Sequence, residues 1–133
     1  MKKFLILASL CFLFTSCSKL NIFGFGEKKN KYEKLKINQS LWLATNNVLN
    51  SYPNTQSDLK EGNVKTDWII LKNNPNVRFR ISVYILGSSL SKENMEIFTE
   101  KEINKNGSWQ RGKISDVFNK NLKKKIMLNA KSL

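Results

Sequence analysis

From Val77 to Leu86 the chain alternates without a break: Val77, Phe79, Ile81, Val83 and Ile85 fall on one side, and Arg78, Arg80, Ser82 and Tyr84 on the other. Successive side chains of a strand point to opposite faces, so only an extended segment gathers the apolar set on one side. The run therefore demands a sheet with one face covered and one face open. Two further runs share this period. Asn63 to Leu71 reads as a strand with Val64, Thr66, Trp68 and Ile70 on one face, and Asn94 to Ile103 reads as a third long strand. Leu59 lies in a short extended piece ended by a Glu61-Gly62 turn, and Trp109 opens a short return strand. Asn73-Asn74-Pro75-Asn76 is a strong turn signal, Gly87 to Lys92 reads as a loop, and Asn106-Gly107 suits a tight hairpin. Such short connections join antiparallel neighbours.

The apolar face needs a cover, and the sequence offers two helices. In the first, Leu41, Ala44, Thr45, Val48, Leu49 and Tyr52 recur at three- and four-residue spacing, with Trp42 beside the stripe. Asn38 or Ser40 can cap it, and Pro53 stops it, because the residue before proline avoids helical dihedrals. The second follows Ser115 or Asp116, with Val117, Phe118, Leu122, Ile126 and then Leu128 or Ala130 as its stripe. Lys120, Lys123, Lys124, Lys125 and Lys131 cover the rest of it, and late cations suit the helix dipole. The order predicts an α+β two-layer sandwich over residues 38–133: an antiparallel sheet of three to four strands, with the N-terminal and C-terminal helices on one face.

The N-terminus reads as an address. Met1-Lys2-Lys3 is followed by an apolar run from Phe4 to Phe14, eleven residues that rise only about 16 Å as a helix. That is too short to span a hydrocarbon core of about 30 Å, and it fits an export signal. Phe14-Thr15-Ser16-Cys17 then resembles a bacterial lipobox. The resemblance implies a signal peptide over residues 1–16, cleavage before Cys17 and acylation of Cys17. Ser18, where an Asp would retain the protein in the inner membrane, implies sorting to the outer membrane, lipid-anchored on its periplasmic side. Residues 17–37 then read as acylated cysteine and flexible basic linker, in which Lys28, Lys29, Lys31, Lys34 and Lys36 outnumber Glu27 and Glu33. Lysines beside an anchor can rest on anionic headgroups, and equally they can be a solvated spacer.

Composition trims the chemistry. The 133 residues hold 23 Lys+Arg against 10 Asp+Glu, with no His and two Cys. No Ser-His-Asp triad, Cys-His pair or His-ligated metal can be built, and no metal-ligand or phosphate-loop spacing occurs. No cofactor is expected. Removing Lys2 and Lys3 with the signal takes the formal charge from +13 to +11. On an exported chain that excess faces anionic lipid or an acidic partner, and no nucleic-acid partner is expected.

Several stretches are distinctive: Ser40-Leu41-Trp42 opening a helix, Thr66-Asp67-Trp68, and Asn76-Val77-Arg78-Phe79 running into Val83-Tyr84-Ile85-Leu86. Together they resemble a family of small alphaproteobacterial lipoproteins, domain of unknown function 3576, from about Asn38 to the C-terminus. A looser likeness is to the helix-grip domains of the C lipoprotein of the outer-membrane β-barrel assembly machine. The first implies a location and the second a fold; neither implies an activity.

If Ile70 faces Val77, then Asp67 lies opposite Arg80 and Ile69 opposite Arg78. The open face then carries Asp67, Ile69, Arg78, Arg80 and Tyr84, either as a register-fixing cross-strand pair or as a recognition patch for an envelope protein. Trp68, on the apolar side of its run, is expected in the core, whereas Trp109 is open to core or surface. Glu96, Glu100 and Glu102 share one strand face and are expected to meet lysines. Three functions remain: a non-catalytic binding or scaffolding lipoprotein of envelope assembly, β-barrel assembly being one such process; a module for anionic lipid or ligand; and a periplasmic enzyme using Asp or Glu with Ser or Lys.

Overall fold

The computed structural model describes residues 31–133. The signal, Cys17, Lys28 and Lys29 lie outside them. Ten elements follow one another: α1 (Lys31–Lys34), α2 (Gln39–Leu49), β1 (Gln56–Asp58), β2 (Asn63–Lys65), β3 (Ile69–Leu71), β4 (Asn74–Ile85), a 3₁₀ turn (Lys92–Asn94), β5 (Met95–Lys105), β6 (Ser108–Arg111) and α3 (Asp116–Lys131). The architecture is α+β. The antiparallel sheet has six strands in the order β1-β2-β4-β5-β6, with β3 also paired to β4. It is larger than the three to four strands expected, for two reasons. The extended piece before Gly62 joins the sheet as β1, and the single strand expected over 63–71 is broken into β2 and β3.

The break is a β-bulge. Across β2 and β4 the partners are Val64↔Val83 and Lys65↔Ser82, whereas across β3 and β4 they are Ile69↔Phe79 and Ile70↔Arg78. Thr66, Asp67 and Trp68 thus stand opposite only Ile81 and Arg80. One extra residue moves every later side chain to the other face. Thr66 stitches the bulge at both ends of one partner. Its amide donates to the Ile81 carbonyl at 2.9 Å, and its hydroxyl accepts from the Ile81 amide at 3.0 Å. The hydroxyl supplies the acceptor that the interrupted ladder lacks.

The helices form as their stripes dictate. Asn38 caps α2 by accepting from the Leu41 amide at 2.9 Å, and Leu41, Trp42, Ala44, Thr45, Val48 and Leu49 are buried. In α3 the buried set is Leu122, Ile126 and Ala130, with Phe118 partly buried against them, a strict four-residue repeat. Val117 and Leu128 fall off that repeat and are 63% and 60% exposed. The two helices pack on each other and on the odd-numbered face of β4, where Ile81, Val83 and Ile85 meet Met95. Tyr32 of α1 and Ile37, in the stretch expected as linker, are buried in the same core. The Asn106-Gly107 turn has both residues at positive φ, as a two-residue hairpin between twisted strands requires. No described helix is long and apolar enough to cross a membrane.

Thr66→Val keeps the shape of this side chain and removes the acceptor for a buried amide. It is expected to lower unfolding free energy by about 1–3 kcal/mol, measured by urea denaturation. Thr66→Ser, which keeps the hydroxyl, is expected to retain most of the stability.

Candidate functional site: the open face of the sheet

The helices cover one face of the sheet and leave the other bare. The bare face carries the even-numbered residues of β4 and β5, since Arg78 pairs with Glu102, Arg80 with Glu100, Ser82 with Phe98 and Tyr84 with Glu96. β6 adds Trp109 and Arg111, opposite Asn104 and Glu102, and β3 adds Ile70, opposite Arg78.

The bulge gives this face its centre. Because one residue is inserted ahead of it, Trp68 turns away from the core and lies under two guanidinium groups, Arg78 at 4.4 Å and Arg80 at 4.7 Å from its ring centre. Trp109 meets Arg78 from the β6 side at 4.2 Å. Arg78 is thus flanked by two indoles while its Nε donates to Glu102 at 2.7 Å. Arg80 is bonded to Glu100, and Arg111 stands 4.0 Å from the same carboxylate. Stacking on an indole attracts a cation to the negative face of the ring and restricts a long side chain to few rotamers. A second cluster lies further along the strands: Tyr84 meets Phe98 edge-on at 5.7 Å, with Lys65 over the tyrosine ring at 5.5 Å. Ile70 and Phe98, at opposite ends of this band, are 55% and 54% exposed.

The expected patch is therefore rebuilt in part. Arg78, Arg80 and Tyr84 occupy the open face as their parity requires. Ile69 does not: the bulge sets it opposite Phe79 and packs it on the core side. The expected Asp67–Arg80 pair is not formed. Asp67 accepts from the next amide, that of Trp68, at 2.7 Å, and Arg80 pairs with Glu100 instead. Trp68 is a surface residue of the site, not a core residue. Of the basic stretch, Lys31, Lys34 and Lys36 are exposed on and just after α1. Trp68, Trp109, Phe98, Glu100 and Glu102 complete the site. The alternation of β5 placed the glutamates on one face in the sequence, but only the bulge brings the Trp68 indole to the arginines that bind Glu100 and Glu102.

Glu100 and Glu102 are tied to arginines rather than to the lysines expected, and Glu96 forms no ion pair among the described residues. The Glu100 carboxyl is held below the usual carboxylate range, chiefly by the hydrogen bond from Arg80, helped by the charges of Arg80 and Arg111 and opposed by partial burial. The same hydrogen bond raises Arg80 further above its already high value. Among the described residues no three Asp, Glu or Cys converge as metal ligands.

Fold and face together define a small α+β domain with a two-helix back and a cation–indole front. The chain belongs to the family described as Domain of unknown function (DUF3576), which matches residues 35–133. It is also 31% identical over 91 residues to a protein of Rickettsia prowazekii (strain Madrid E) that is described as uncharacterized. That match covers 66% of this chain and 54% of the relative, so the chain spans about half the length of the curated relative it matches. No solved structure matches the chain.

Glu100, with its folded value depressed, adds stability above the ordinary carboxylate value of about 4.3 and loses it as pH falls through the lower folded value. Stability of the wild type is therefore expected to start falling as pH drops below about 4.3, and Glu100→Gln is expected to flatten this part of the profile, read by denaturation midpoints from pH 7 into the acid range.

Proposed function

We propose that this protein is a non-catalytic lipoprotein of the outer membrane. It is anchored through Cys17 on the periplasmic side and docks an envelope-assembly protein on its open sheet face. The carrying observation is the set of indoles and arginines on that face, Trp68, Arg78, Arg80 and Trp109, outside the helix-covered core. Trp, Tyr and Arg are the residues that most often dominate docking energy, and they work best when held still before the partner arrives. Here the stacks and the carboxylates hold them. Exposed Ile70 and Phe98 flank the polar centre with apolar surface. Glu100 and Glu102, beside the indoles, are engaged with arginine, which supports recognition over acid–base chemistry at this place. A scaffolding part in β-barrel assembly belongs to this reading, with the partner met by the face and the distance set by the basic stretch before α2.

A second reading has its own observation. Lys31, Lys34 and Lys36 are exposed where the described chain begins, next to the expected anchor. Each lysine close to an anionic surface adds about 1 kcal/mol of attraction, so this end of the domain is suited to lie on headgroups.

Two tests follow. Cys17→Ser is expected to move the protein out of the membrane pellet; a variant that still sediments with membranes contradicts the anchor. Trp68→Ala combined with Arg80→Glu is expected to cut recovery of the envelope partner in affinity isolation at least tenfold while the domain stays folded, as thermal melting checks. Equal recovery by variant and wild type removes the open face as the docking surface.

A further inference from the structure

The covered face of the sheet is not covered along its whole length. At the Ile81–Ile85 end of β4 the helices seal it, and those residues are buried. At the other end α3 begins beyond the sheet's centre and leaves a cleft of about 310 Å³. Leu71, Val77 and Phe79 form its floor, Ile114 and Phe118 one wall, and Lys101 and Ser115 its rim. Phe79 is fixed from both sides by edge-on rings, Tyr52 at 6.3 Å and Phe118 at 5.9 Å, so the floor is rigid.

The lining offers water little. The buried hydroxyl of Thr99, which also lines the cleft, is engaged with Asn119 Oδ1 at 2.6 Å. Among the described residues the buried polar atom without a partner is Thr45 Oγ1, which does not line the cleft. A cleft lined this way suits an apolar guest with few polar groups. The volume lies at the lower end of the range of about 300–1,000 Å³ for small-molecule sites. Measured as room for a water-sized sphere, one water or methylene needs about 10–15 Å³, so the cleft has space for roughly twenty such groups, enough for a long unbranched chain. One cation marks the mouth. Lys101 projects from the covered face of β5, opposite Phe79, and forms no ion pair among the described residues. An apolar slot with a single unpaired cation at its rim complements an unbranched chain ending in an anion.

We propose that this cleft binds a long-chain fatty acid, with the chain on Phe79, Val77 and Phe118 and the carboxylate at Lys101. The site is separate from the cation–indole face, on the other side of the sheet, and stands whether or not that face docks a protein.

The test uses the full chain carrying Cys17→Ser, with cis-parinaric acid as a fluorescent fatty-acid probe and palmitate and 1-hexadecanol as competitors. The same chain also carries Lys101→Glu or Ser115→Trp, the second of which fills the mouth. All three proteins are checked by thermal melting, and Lys101→Met replaces Lys101→Glu if the latter melts early. Saturable binding of the probe, displaced by palmitate, is expected for the parent. Ser115→Trp is expected to abolish it. Lys101→Glu is expected to weaken the probe and palmitate at least tenfold and to leave displacement by hexadecanol unchanged. Absence of saturable binding, or equal binding by all three proteins, overturns the site. Loss with Ser115→Trp but not with Lys101→Glu or Lys101→Met overturns the fatty acid as occupant in favour of an uncharged chain.

Discussion

One hydroxyl governs which way this sheet faces the world. Thr66 takes the Ile81 amide on its side chain while its own amide reaches the Ile81 carbonyl, and so closes a bulge inside the sheet. Everything before the bulge on that strand keeps one parity and everything after it keeps the other. Val64 points into the core, but Trp68 points out, at an even spacing that would otherwise have sent it inward. The indole then finds two guanidinium groups on β4, and those find carboxylates on β5 and a second indole on β6. The bulge, the stacks and the ion pairs form one chain of dependence from a local hydrogen bond to a surface.

That chain explains what could be read in advance and what could not. The alternation of Val77 to Leu86 fixed the longest strand and its two faces, and the apolar stripe through Phe118, Leu122 and Ile126 fixed the last helix. Arg78, Arg80 and Tyr84 followed directly from strand parity. The register expected between the second and fourth strands is the one that β2 keeps. It fails for β3 by one residue, and that single slip moved Ile69 inward, Trp68 outward and Asp67 out of reach of an ion pair with Arg80. Period-two patterning carries no mark of an inserted residue when the residues on both sides of it are large and apolar. Thr66, Trp68 and Ile70 look like one face of an unbroken strand because each is a plausible core residue. Likewise Val117 and Leu128 look like core on hydrophobicity alone, and only the packing partner decides which stripe is buried.

The charge of the protein also divides by place. On the open face Arg78, Arg80 and Arg111 are set against Glu100 and Glu102, so that surface is closer to balance than the +13 of the whole chain suggests. The cations without an ion pair among the described residues are lysines, on α3, around α1 and in the strands and loops between them. Arginine is used where planar stacking and forked hydrogen bonding fix a position, and lysine where a mobile, hydrated charge suffices. That division sets a shaped, nearly balanced arginine face apart from a mobile basic surface elsewhere.

The open face as docking surface is the central claim, and site-specific photocrosslinking in native envelopes tests it most directly. A photoreactive residue replaces Ile70 or Phe98 on the open face, or Val117 or Leu128 on the exposed side of α3. All four positions are comparably exposed, so exposure alone favours none of them. The account predicts a discrete adduct with an envelope protein from positions 70 and 98 and none from 117 and 128. Adducts from the helix positions alone, or none from the sheet face, would contradict it.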